Sequence, residues 1–160
     1  MTSISSPPSG GGGGGGISDV TAGSFVQAWA DSGLSLSAAD WDTLPTDTTT
    51  IDANDEFDTA NYQFTPGSTM YYHIIGQVIF SAGSDGDSLN ARFRDVDNAN
   101  DIIRSNETLG DNSSNSVHIM AVKELSAGTT YEFQVRNYNS SDWIEAYEQK
   151  NYLALRGINR

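Results

Sequence analysis

From Met70 to Phe80 the chain reads MYYHIIGQVIF, and its alternate positions separate into two sets. Met70, Tyr72, Ile74, Gly76, Val78 and Phe80 share one face of a strand; Tyr71, His73, Ile75, Gln77 and Ile79 share the other. Both sets are mostly apolar, so both faces need cover. A second sheet can supply one layer. In a small all-β domain the other is most cheaply supplied by a neighbouring subunit. Which set turns inward is open at this level.

The same period recurs downstream. Leu89, Ala91 and Phe93 alternate with Asn90, Arg92 and Arg94, and Val117, Ile119 and Ala121 with His118, Met120 and Val122. Tyr131, Phe133 and Val135 alternate with Glu132, Gln134 and Arg136, which are expected to point to solvent. Ile102-Ile103 reads as a short buried step. Turn-forming clusters separate the runs: Pro66-Gly67, Gly83–Asp87, Gly110–Ser116, Ala127-Gly128 and Asn137–Asp142. Upstream, Phe25–Trp29 fits a strand or a helical turn equally well. Short strands between Gly/Asn/Asp/Ser turns, with no long helical period, predict an all-β antiparallel sandwich of the jelly-roll kind.

Several segments resemble a known family. Phe57-Asp58-Thr59, Tyr62, Phe64-Thr65-Pro66 and the Tyr-bearing strand after them resemble the globular head of complement component one, subcomponent q, a tumour-necrosis-factor-like jelly roll. Trp41-Asp42-Thr43-Leu44 is similar to a strand in versions of this module associated with bacteria and viruses of microbes. Glu124–Thr129 followed by Tyr131, Phe133 and Val135, and Asn151–Ile158 as the closing strand, extend the likeness over Gly23 to Ile158. The turn glycine stands at Gly67 rather than directly before the tyrosine, and Thr129 follows Gly128 where an Asp is usual. The resemblance favours strands over helix in the opening segment, with Phe25–Trp29 as the first, Leu34–Leu36 as an edge and Asp40–Leu44 as the next. Together with the doubly apolar strands it implies a homotrimer, with Tyr71, His73, Tyr152 and Leu155 as the expected contact residues.

Residues 1–16 form a separate segment, an N-terminal anchor or linker ahead of a head spanning 17–160. Seven consecutive glycines follow Pro7-Pro8, a composition that disfavours ordering and suits a tether. In a trimer, three such runs could instead pack as extended strands. Met1, Ile4, Pro7 and Pro8 are the residues there that a partner could grip. The segment has neither basic residues nor an apolar core, so it does not read as a secretory signal. An extracellular-type head that begins in this way is expected to be made in a host cytoplasm and carried on a virion surface. The tail would hold it to the major capsid protein or another virion protein.

Composition narrows the chemistry. With Asp+Glu 21 against Lys+Arg 8 the net charge is −13, which repels phosphate and argues against nucleic acid as a partner. No apolar run reaches the roughly 18–20 residues of a membrane helix. Cysteine is absent, so neither disulfides nor thiolate metal sites can form. The Asp/Asn clusters 52–55, 85–87 and 95–101 invite a calcium reading. An EF-type loop starting at Asp95 would however place Asn100 where Gly is needed and Glu107 one residue late. His73 and His118 lie in separate apolar strands without a metal-binding spacing. No Gly-x-Ser-x-Gly elbow occurs. The expectation is a non-enzymatic protein without cofactor. Tyr138, Trp143 and Tyr147 are candidate contacts for a host surface glycan or receptor, with subunit or sandwich-end packing as the alternative for Trp143 and Tyr147.

The acidic excess also suits concentrated salt. Carboxylate repulsion is unscreened in dilute buffer, whereas the Debye length falls to about 3 Å at 1 M. The melting temperature should therefore climb between low and molar salt, in KCl and NaCl alike. A flat or falling curve would remove both the repulsion argument and the halophilic reading.

Overall fold

The computed structural model describes residues 24–37, 39–81, 86–108, 115–138, 143–144 and 150–158. All the regular elements among them are strands: β1 (Phe25–Trp29), β2 (Leu34–Ser35), β3 (Asp42–Thr43), β4 (Thr48–Asp52), β5 (Phe57–Asp58), β6 (Gln63–Phe64), β7 (Met70–Ser81), β8 (Ser88–Asp95), β9 (Asn100–Thr108), β10 (Asn115–Leu125), β11 (Tyr131–Asn137), β12 (Trp143–Ile144) and β13 (Tyr152–Ile158).

They form two antiparallel sheets. In the first, β7 is flanked by β10 on one side and β13 on the other, and β1 and β4 continue beyond β13. In the second, β8 lies between β11 and β9, while β6 pairs with Tyr131 and Glu132 of β11 and β3 with Gln134 and Val135. The layers face each other in the jelly-roll manner, with inward positions at every second residue. Phe25–Trp29 is a strand, paired residue for residue with β13. Thr48–Asp52 adds a strand that apolar alternation does not reveal, and Ile102-Ile103 belongs to a nine-residue strand rather than a short step.

Tyr72, Ile74, Gly76, Val78 and Phe80 face the core, which settles the orientation of β7. Across the interior stand Phe64, Phe93 and Phe133, and Phe64 meets Tyr72 edge-on with ring centroids 5.4 Å apart. Phe93 and Tyr131 stack at 5.5 Å. Burial of the Tyr72 ring raises its phenol pKa above the ordinary value, and Ser24 works the other way.

The acidic turns are tied internally. Asp52 accepts hydrogen bonds from the backbone N–H groups of Glu56 and Phe57, both at 2.9 Å. Glu56 accepts from the Ser24 hydroxyl and, at 2.7 Å, from the Gly67 N–H, joining the start of β1 to the turn before β7. Asp95 accepts from Asn98, and Asp97 from the Thr130 N–H. These carboxylates have backbone donors to hold, which accounts for their clustering as turn chemistry. Buried Asn151 performs a similar task, accepting from the Ile79 N–H at 2.6 Å and, through its carbonyl, from the Ala30 N–H at 2.9 Å.

Candidate functional site

The outer face of the first sheet is built from the residues left after the inward set is removed. Register brings Met120 beside Ile75 and Val122 beside His73, while Ile158 lies beside Tyr71 and Tyr152 beside Gln77. Phe25, Gln27 and Trp29 of β1 extend the surface, and Ile51 of β4 pairs with Gln27. Five large hydrophobic residues are exposed among the described residues: Ile51 (39%), Met120 (67%), Val122 (55%), Tyr138 (54%) and Ile158 (37%). Four of them lie on this one face. Glu124 is the sole carboxylate among the outward positions of β7, β10, β13 and β1. In an acid-rich chain that is a selective sparing.

A depression of about 320 Å³ marks the middle of the face, lined by Phe25, Gln27, His73, Ile75, Ala154 and Arg156. Its cause is local. Ala154 projects only a methyl group, while its cross-strand neighbours are Gln27 on one side and Ile75 on the other. A shallow, largely apolar hollow of this kind can receive a side chain from another surface. It offers no nucleophile–base pair.

Tyr71, His73 and Tyr152 occupy this outer face and are half-buried. Leu155 does not. It pairs with Ile74, points into the sandwich and is fully buried, so it cannot be a subunit contact. The reason is elementary: residues three apart on a strand point to opposite sides, and Tyr152 and Leu155 cannot share a face. His118 is exposed, with Nε2 3.0 Å from the Ser116 hydroxyl, and lies four residues along β10 from the position opposite His73. Tyr138 is exposed at the end of β11. Trp143 belongs to β12, whose backbone pairs with β2 and β7. Tyr147 lies outside the described residues, as do Met1, Ile4, Pro7 and Pro8.

The second sheet corrects another expectation. Gln134 and Arg136 are not simply solvated: with Arg92, Arg104 and Trp41 they form a packed layer over the outer face. Trp41 was legible only as a strand residue. The available signal was the run of cations at the outward positions Arg92, Arg94 and Arg136. A separate open depression near Asp55, Glu56 and Asp58 is acid-lined. There the Asp58 carboxyl is held below its usual pKa by the Asn61 side chain and the Ala60 N–H.

No protein-family model matches the sequence, and no curated protein matches it either. Solved structures do match. Murine APRIL at pH 5.0 superposes with a TM-score of 0.66 at 11% identity, covering 85% of this chain and 99% of that one. The globular domain of zebrafish complement 1qA gives 0.62 at 14% identity, covering 86% and 98%. Eiger TNF from S. frugiperda gives 0.60 at 13%, covering 86% and 93%. At such identities the likeness speaks for architecture alone, and the architecture is clear: this chain has the TNF-like jelly-roll fold shared with those three structures.

Proposed function

We propose that this chain is a non-catalytic display head that assembles as a homotrimer through the outer face of its first sheet. The observation that carries the reading is the segregation just described, with four of the five exposed large hydrophobics on one face and a single carboxylate among its outward positions. An apolar face of this size is a liability unless it is covered. For a chain of net charge −13, a second copy can approach only where carboxylates are sparse, and this face meets that condition. A standard interface buries roughly 1,600 Å², enough to cover such a surface. Tyr71, His73 and Tyr152 are contact residues in this arrangement.

The finer part of the proposal places the head on a virus particle, tethered by residues 1–16. Its support is the sequence: a glycine tether preceded by a short segment whose Met1, Ile4, Pro7 and Pro8 a capsid protein could hold. Three tails on one trimer act together, so weak single contacts suffice through effective concentration. Two measurements test the two parts separately. Sedimentation should give a species of three times the 17.2 kDa chain mass, and a monomer at micromolar concentration would refute the assembly. Full-length protein should pellet with particles stripped of it, while protein lacking the first 16 residues should stay in solution with an unchanged melting temperature. Equal pelleting of both would move attachment onto the jelly roll.

A second reading, a head that itself binds a receptor or glycan, is favoured by one feature. Tyr138 is the exposed large hydrophobic that lies outside the proposed contact face.

A further inference from the structure

The outer face of the second sheet concentrates positive charge in a chain that has little of it. Arg92, Arg94, Arg104 and Arg136 are half of its 8 Lys and Arg residues, and all four come from β8, β9 and β11. Arg92 and Arg104 are direct cross-strand partners. Like charges in that relation are destabilising. Trp41 holds them together: the guanidinium carbons of Arg92, Arg136 and Arg104 lie 4.0, 4.5 and 5.2 Å from its ring centroid. Arg136 is also 4.4 Å from the Tyr138 ring. Cation–π attraction offsets part of the crowding.

Among the described residues the countercharge is incomplete. Asp101 lies 2.9 Å from Arg92 and 4.0 Å from Arg94. Glu132, opposite Arg94, is engaged by Thr43, Gln63 and Gln134. Arg92 also donates from Nε and Nη2 to the Gln134 side-chain oxygen Oε1, at 2.8 and 2.6 Å. Among the described residues, the hydrogen-bond acceptor of Arg104 is the neutral Asn90 side-chain oxygen, at 3.0 Å. Arg136 has two aromatic neighbours, and its buried Nε has no acceptor among the described residues. Among the described residues, neither of these two guanidiniums forms an ion pair with a carboxylate. The pKa of Arg92 is lowered, chiefly by burial; Asp101 opposes this, while Arg94 and Arg104 add to it.

We infer that Arg104, Arg136 and Tyr138 form a binding site for the carboxylate of a terminal acidic sugar. A guanidinium fork matches a carboxylate in plane and in donor spacing. The exposed Tyr138 ring offers an apolar face to the C–H side of a pyranose. Arg104 on β9 and Arg136 on β11 have β8 between them, a backbone span of roughly 9.6 Å, and their guanidiniums converge on Trp41, at 5.2 and 4.5 Å from its ring centroid. A long polyanion does not fit this surface. The remaining surface of a −13 chain repels it, and Trp41 is covered by guanidiniums instead of offering a ring for base stacking. The site lies on the sheet opposite the proposed subunit contact, so it stands whether or not that contact does.

The test is a titration of the full chain with N-acetylneuraminic acid and with glucuronic acid, followed through the indole N–H and arginine Nε–H NMR signals. The methyl esters of both acids serve as uncharged controls. Binding should shift the Trp41 signal, identified by its loss in Trp41→Phe, and the esters should bind at least about tenfold more weakly. Arg104→Gln should lower affinity by a similar factor with an unchanged melting temperature, because Arg104 is exposed. Arg136→Gln should lower affinity as well, with a thermal melt alongside because this side chain is half-buried against Trp41 and Tyr138, and Arg156→Gln, on the other sheet, should have no effect. The assignment is overturned if neither acid binds, if esters bind equally, if Arg104→Gln leaves affinity intact, or if only a poly-glutamate peptide or an oligonucleotide shifts the signals.

Discussion

Gly76→Val should destabilise the head by about 3 kcal/mol, the upper range for overpacking a filled core, and should lower its melting temperature by about 4 °C for each kcal/mol lost. Gly76 lies at the centre of β7, on its inward side between Ile74 and Val78. A Cβ there would stand 2.8 Å from Ile119 Cγ1 and 2.9 Å from Phe133 Cζ. Neither neighbour has room to yield, since both side chains are buried against the opposite layer. The glycine is therefore a matter of space: it lets the second sheet's phenyl ring and the neighbouring strand's isoleucine close over β7. Ile119→Ala alone removes buried methylenes and leaves a cavity, at about 2–5 kcal/mol. The double variant should cost at least about 1 kcal/mol less than the sum of the singles, because valine at 76 fills what isoleucine vacates. Strict additivity in denaturant melts would mean that Gly76 is not held by these contacts.

The same position explains what the sequence could and could not say about the fold. The strands were legible because Met70–Phe80, Leu89–Phe93, Val117–Val122 and Tyr131–Val135 alternate strictly, and period two has one structural meaning. The inward set of β7 was not legible, because both sets are apolar. What decides it is Gly76 against Ile119 and Phe133, a contact between residues more than forty positions apart in sequence. Thr48–Asp52 was missed because β-branched polar residues mark a strand without marking a face. On the candidate surfaces, Tyr71, His73 and Tyr152 share a face by parity, and Leu155 fails by the same parity. The arginine layer could not be read at all as a site. Its members come from β8, β9, β11 and the residue before β3, and only sheet register brings them under one indole.

Met120→Glu should convert the assembled head to monomers while leaving each head folded. In the isolated subunit Met120 is 67% exposed, so a carboxylate there stays in water. Surface changes of that kind usually alter stability by within about 0.5 kcal/mol. Within a subunit contact the same carboxylate loses its hydration, an effective cost of several kcal/mol per ion. It would also sit beside Ile75 rather than beside a cation, since those two residues are cross-strand partners. Because each 1.4 kcal/mol is tenfold in affinity, the dissociation constant should rise by about a hundredfold or more. Met120→Leu, equally apolar, should remain assembled and controls for shape. Val122→Lys, two residues along the same face and opposite His73, should dissociate as well. That second variant separates the causes: if burial of charge is what matters, either sign disrupts assembly, whereas a lysine that preserved it would point to carboxylate repulsion alone. Sedimentation velocity at matched concentrations reads all three, with a thermal melt to confirm folding. A Met120→Glu chain that still sediments as the wild type does would place the subunit contact elsewhere and leave this apolar face without its proposed partner.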